Sequence, residues 1–174
     1  MKKILNISVI IVTATIKAQI GILTPNISNG SVSIEFNNSE NRGLIVPYVM
    51  DKVNISETGT IIYDTVDHKV KYLQTSDSWF DLSIDNTGAV DLSVQDQDRE
   101  EHLGAKVSIA ANQGVNDLSR VILALADNDK AMILPKIVEP HLNIIEPDAG
   151  MLVYDTKNKM LAVFNGTVWT FWKP

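Results

Sequence analysis

The sequence predicts an all-β protein built from duplicated antiparallel β-meander units, arranged as a fibre-like rod or a small sandwich. Three observations predict it. Short apolar runs, several alternating with polar residues, recur between clusters of Gly, Asn, Asp and Pro, the pattern of strands and turns. One stretch occurs twice: Gly59 to Phe80, GTIIYDTVDHKVKYLQTSDSWF, and Gly150 to Trp172, GMLVYDTKNKMLAVFNGTVWTFW. Convincing amphipathic helices are missing, since Asp96 to Leu103 offers a turn or two and His141 to Ile145 is a weak candidate.

The chain opens on an export address. Lys2 and Lys3 precede a mainly apolar run from Ile4 to Ile16, and Ala18 supplies a small residue for cleavage before Gln19. That run is too short for a membrane span of ~20 residues, and Lys17 interrupts it. Residues 1–18 are therefore read as a cleaved signal peptide. Its removal takes three of the 15 basic residues and none of the 21 acidic ones, so the formal charge moves from −6 to −9. An acidic surface without a Lys/Arg cluster argues against nucleic acid and anionic membranes. Cysteine is absent, which excludes a disulfide framework and a lipid-bearing cysteine after the signal.

The elements then follow in order. Ser31 to Phe36, SVSIEF, alternates as a half-buried strand should. Gly43-Leu44-Ile45-Val46-Pro47 is a continuous apolar run stopped by proline, which suits a strand covered on both faces. The first meander reads as strands at Gly59 to Asp64, Lys69 to Gln74 and Ser78 to Ser83. A polar connector follows and carries Gln95-Asp96-Gln97-Asp98-Arg99-Glu100-Glu101-His102. Ala105 to Ala111 and Leu118 to Asp127 look like two strands about a turn at Gln113 to Asp117. Met132-Ile133-Leu134-Pro135 repeats the strand-plus-proline of the first half, and the second meander completes the chain.

These matches share nearly one offset. Pro47 and Pro135 lie 88 residues apart, Tyr63 and Tyr154 91, and Trp79 and Trp169 90. A fixed offset means one supersecondary unit of ~60 residues was built twice. The organisation is thus residues 1–18 signal, 19–83 first copy, 84–111 connector and 112–174 second copy. Asn165-Gly166 suits a type I′ hairpin turn, where both central residues need φ > 0. The first copy has Thr75-Ser76-Asp77-Ser78 in its place. Strands apolar on both faces need cover on both sides, from the other copy or a second subunit.

Candidate sites are few. Trp79 and Trp169 occupy equivalent places and read as cross-strand framework, which aromatic pairs stabilise by ~0.5–1.5 kcal/mol beyond area burial. Trp172 lies outside the repeat and is the better candidate for an exposed ligand contact, such as the face of a sugar. Asp96, Asp98 and Glu100 have the spacing of the first three carboxylates of a calcium loop. An EF-hand also needs glycine at the sixth place and an acid at the twelfth, where Glu101 and Val107 stand, so that motif is rejected. A looser Ca²⁺ contact competes with a solvated charged connector. His68, His102 and His141 have no second ligand at metal spacing. No nucleophile elbow, P-loop, dinucleotide-binding glycine pattern or zincin helix is present. No catalytic residue, cofactor or metal is assigned.

The start QIGILTP, the stretch SVSIEFNNSENRGLIVP and the GxxxYDT…NGxxW meander resemble exported fibre-like surface proteins of Bacteroidota. Phage tail-fibre and head-fibre chains carry a similar meander. The resemblance covers Gln19 to Ser83 and Asp127 to Trp172, and it implies a β-rich, oligomeric and non-catalytic module, trimeric in phage fibres. Asp64-Thr65-Val66 also resembles the O-glycosylation acceptor of those bacteria. The expected function is an exported structural or adhesive protein of the periplasm, cell surface or medium, acting by binding and assembly. A carbohydrate-binding module with exposed aromatics is the alternative. The expected partners are copies of the same chain, with a trimer as the expected state, and a glycan or surface ligand.

Overall fold

The computed structural model describes residues 19–92, 107–110 and 123–173. The signal segment and the acidic stretch with Asp96, Asp98 and Glu100 lie outside the described residues. Within them the regular secondary structure is almost entirely strand. The first copy contains β1 (Ile20–Ile22), β2 (Val32–Phe36), β3 (Leu44–Ile45), β4 (Tyr48–Val49), β5 (Ile61–Asp64), β6 (Lys69–Thr75) and β7 (Ser78–Asp81). The connector contains β8 (Val107–Ile109), and the second copy contains β9 (Leu123–Leu125), β10 (Ala131–Ile133), β11 (Lys136–Ile137), β12 (Met151–Asp155), β13 (Met160–Phe164) and β14 (Trp169–Trp172). A one-turn helix, α1 (Pro140–Asn143), lies between β11 and β12.

Each meander is one sheet, ordered β4-β5-β6-β7 in the first copy and β11-β12-β13-β14 in the second. The two share the hydrogen bonds that set their frame. The Tyr63 and Tyr154 amides donate to the carbonyls of Pro47 and Pro135, both at 2.8 Å. The Thr65 and Thr156 amides donate to Val49 and Ile137, both at 3.0 Å. Gly59 and Gly150 take φ of +85° and +77°, which a side chain would resist, and their amides bond to Leu73 and Phe164.

The aspartate of each Tyr-Asp-Thr explains why that triplet recurs. Asp64 Oδ1 accepts from the amides of Val66 and Asp67, and Asp155 Oδ1 from those of Lys157 and Asn158. Each carboxylate thereby closes the turn to the next strand, and His68 and Lys159 complete it at φ of +58° and +56°. Both aspartates are fully buried, so the bonds also satisfy charge that burial would otherwise penalise.

Four features depart from the expectation. Parallel pairs flank the antiparallel meanders: β1 with β2, β8 with β9, β4 with β5, β11 with β12, and β2 with β10. Val107–Ile109 and Leu123–Leu125 therefore run alongside each other rather than folding back about the turn.

Leu44 to Pro47 is not one strand. Proline has no N–H to continue a ladder, and the chain changes sheets there. Leu44–Ile45 pairs antiparallel with β12 of the second copy, whereas Tyr48–Val49 joins β5 of its own.

The second hairpin is centred one residue later than a type I′ Asn165-Gly166 turn. The Asn165 amide bonds to the Val168 carbonyl, leaving Gly166 and Thr167 at the tip, and only Gly166 has positive φ. Asn165 is instead fully buried, where its Oδ1 accepts from the amides of Thr167 and Val168. The first copy turns at Ser76-Asp77 after a bulge between Leu73 and Thr75. That extra residue accounts for the change of offset from 91 to 90.

Trp172 lies within β14 opposite Leu161, at the place Leu82 holds in the first copy, and so inside the repeat rather than outside it. Its position in the meander makes it part of the same scheme.

The two sheets cover each other. Val46, Tyr63 and Val70 of the first copy form one core cluster with Ala149, Leu152 and Val163 of the second. Full burial of each such aliphatic side chain is worth ~1.5–3 kcal/mol. The opposite face of the second sheet packs Ile137, Met151, Val153, Ala162 and Phe164, with Ile144, Trp169 and Phe171 against them. Cover on both sides was expected, and the other copy supplies one of them.

Candidate functional site

The place where most of the chain's polar and apolar detail converges is the junction between the copies. Tyr63 and Tyr48 rise from the first sheet because strand alternation points them at the second. The Tyr63 hydroxyl donates to the Asn165 carbonyl at 2.9 Å and the Tyr48 hydroxyl to the Ala149 carbonyl at 3.0 Å. Their rings meet edge to face at 5.6 Å. Burial, then the neighbouring Tyr48 and Asp64, push the Tyr63 hydroxyl up to about 12.

From the other side, the Trp172 indole N–H donates to the Leu82 carbonyl at 2.6 Å, and its ring lies 5.6 Å from Phe80. Trp172 is half-buried by these contacts. The chain leaving the first meander then straps the second hairpin. Asn165 Nδ2 donates to the Asp85 carbonyl at 2.8 Å, and the Thr167 hydroxyl to the Thr87 carbonyl at 3.0 Å. Gly88 is needed there for room, since a Cβ would run into the Asn165 carbonyl. The hydrogen bonds from Thr87 and Asn165 hold the Asp85 carboxyl below its ordinary range.

A second cluster lies on the outer face of the first sheet, and sequence reasoning missed it. Lys71 is nearly buried and contacts Asp67, Asp81 at 3.2 Å and Asp64 at 3.7 Å. Lys52 contacts Asp64, and Lys69 reaches Asp81 at 2.7 Å. Burial works to raise the Asp64 and Asp81 carboxyls, but hydrogen bonds from Lys52 and the Val66 amide, and from Lys69 and Lys71, outweigh it and hold both low. Burial likewise works to lower Lys71, and its bonds to Asp67 and Asp81 raise it. Every charge is matched by its opposite, which is the arrangement of structural ion pairs. The signal that could have found it is the alignment of the copies: Lys71 and Asp81 stand where the second has Ala162 and Phe171.

The remaining candidates scatter. Trp79 pairs with Leu73, and Trp169 with Phe164, at matching register positions. His141 sits edge-on to Phe171 at 5.6 Å, while Nδ1 of His68 is buried without a partner. The Thr65 hydroxyl donates to the Val49 carbonyl at 3.2 Å. Among the described residues no group of three or more His, Asp or Glu side chains could hold a metal ion. None of their helices is long and apolar enough to cross a membrane. A cleft of about 160 Å³ opens beside Ile22, Leu23, Phe36 and Arg42, below the ~300 Å³ at which small-molecule pockets begin.

Fold and site together define a class: a β-meander protein whose most developed chemistry is an interface between repeated units. Residues 114–173, which take in the whole second meander, match the family model of a phage tail like trimerisation region. The chain is similar to phage tail and fibre proteins over that segment. No curated protein and no solved structure matches the chain.

Proposed function

We propose that this protein is a non-catalytic structural component of a trimeric, fibre-like assembly, exported from the cell and acting at its surface by binding and assembly. The observation that carries the reading is the match of residues 114–173 to a phage tail like trimerisation region. Three further features support it. The regular elements of the described chain are nearly all strands. Apolar strand residues remain uncovered in the single chain, among them Ile45, Leu123 and Val107. The titratable groups that cluster are engaged in mutual ion pairs rather than converging on a cleft.

The test is the mass of the purified chain by light scattering at micromolar concentration. Three chains per particle is the expected result. A single-chain mass across that range overturns the reading.

A further inference from the structure

The junction inside the chain is heterologous, because the two copies present different surfaces to it. The first copy offers Val46, Tyr63 and Val70, and the second receives them on Ala149, Leu152 and Val163. Each copy nevertheless carries counterparts of both surfaces, so one of each is left over. Tyr154, the equivalent of fully buried Tyr63, is 37% exposed. Its neighbours Leu134 and Leu161, equivalent to Val46 and Val70, pack at the margin of that core and stay half-buried. On the first copy the counterpart of the receiving surface is Ile61 and Tyr72, both half-buried, Ile61 at the margin of the same core and Tyr72 beside Phe80 at 5.2 Å, with the exposed Gln74 where the second has buried Asn165.

The strand edges tell the same story independently. In the second copy one edge of β12 is shared by β11, at Tyr154 and Asp155, and by β3, at Met151 and Leu152. In the first copy β4 takes the matching half of the β5 edge, at Tyr63 and Asp64. Among the described residues no strand takes the other half, at Thr60 and Ile61. The element equivalent to β3 is β10, which among the described residues pairs with β2 on one edge only. The pairing of β2 with β10 has its own unfilled counterpart, since among the described residues β9 pairs only with β8 and β3 only with β12.

We propose that chains assemble head to tail, the second copy of one subunit docking on the first copy of the next as the two copies dock within a chain. In this arrangement β10 pairs with the partner's β5 at Thr60 and Ile61, and β9 pairs with the partner's β3. Tyr154 enters the partner's core, its hydroxyl bonding the Gln74 carbonyl as Tyr63 bonds that of Asn165. A heterologous contact closes into a ring if its rotation allows and otherwise runs on as a filament. Three chains give a ring of six quasi-equivalent units. The inference rests on the reading of the chain as an oligomer, and it names the surfaces that make one.

The chain has no native cysteine, which makes disulfide trapping clean. In the head-to-tail pairing Ile133 of one subunit faces Thr60 of the next, as Ile45 faces Met151 within the chain. Ile133→Cys and Thr60→Cys chains, mixed and oxidised, are expected to give a covalent dimer that neither gives alone. Ile45→Cys/Met151→Cys, closing within one chain, is the positive control. Tyr154→Glu, at a residue exposed in the single chain, is expected to lower the particle mass threefold while the β circular dichroism stays unchanged. A particle that keeps its mass with Tyr154→Glu and forms no mixed disulfide overturns the head-to-tail contact but leaves an oligomer standing. A wild-type chain that is monomeric overturns both.

Discussion

The outer faces of the two sheets share a strand plan and differ in chemistry at one cross-strand pair, while Ile62 and Leu73 keep part of the first face apolar. In the second sheet Ala162 lies opposite Phe171 across the ladder, and both belong to an apolar layer with Phe164 and Trp169. In the first sheet Lys71 lies opposite Asp81 at the same register, and the layer is held by ion pairs to Lys69, Asp67 and Asp64. The difference extends to the cover. The second sheet has the longer segment between its proline and its glycine, and that segment supplies α1 and the half-buried Ile144. In the first, Lys52 reaches over the sheet to Asp64. A meander thus fixes where its strands go through glycine, aspartate and proline, while the composition of its free face is open to change. The inner faces, which must match each other, have stayed apolar in both copies.

Placing the charge of one face into the other gives the largest effect. Ala162→Lys buries an ammonium at a fully enclosed site, with a cost above ~4 kcal/mol. The expected result in urea unfolding is loss of the cooperative transition. A modest shift of the midpoint would show that the apolar face is less closed than it looks.

The reverse graft is next in size. Lys71→Ala removes the cation that Asp67, Asp81 and Asp64 share; Asp67 and Asp81 are partly exposed, so the expected loss is that of charged hydrogen bonds, ~1.5–3 kcal/mol. Lys71→Ala/Asp81→Phe recreates the pair found in the second copy. It is expected to be more stable than Lys71→Ala alone by at least ~1 kcal/mol. Additive losses in a double-mutant cycle would mean that the two residues do not act together.

The smallest effect separates the two tyrosines. Tyr63→Phe loses a buried hydrogen bond and leaves the Asn165 carbonyl unpaired, for about 1–2 kcal/mol, whereas Tyr154→Phe in the dissociated chain is expected to change stability little. The pH dependence follows in sign. The folded pKa of Tyr63 is raised above its ordinary 10, so its contribution is present below pH 10 and is lost as pH rises through about 12. Unfolding titrations of Tyr63→Phe should lack that alkaline loss. An unchanged alkaline limb would assign it to other tyrosines.

The meanders were legible in the sequence because what shapes them is local. Alternation, Gly59 and Gly150, and the Tyr-Asp-Thr triplets act over a few residues, and repetition singled them out from chance. The parallel pairings were not legible. No short-range signal distinguishes a strand that folds back from one that runs alongside, and β3 finds its partner in the other copy. Asn165 misled for a related reason. Its place before glycine suits a type I′ turn, but the strap from Asp85 to Gly88 supplies a buried role for its amide. The ion cluster was readable only by comparing Lys71 with Ala162 and Asp81 with Phe171, a comparison that needs the cross-strand register as well as the offset.

The crossing at Pro47 also sets a schedule. Leu44 and Ile45 are made early, yet Leu152 and Met151, their partners, follow about 100 residues later. The first copy can form its hairpins as it emerges, but its edge strand waits until nearly the whole chain is available. Folding should therefore finish in one late step that draws both halves together. A truncated chain lacking the second meander would leave Leu44 and Ile45 as an open strand edge, the kind of surface on which chains aggregate.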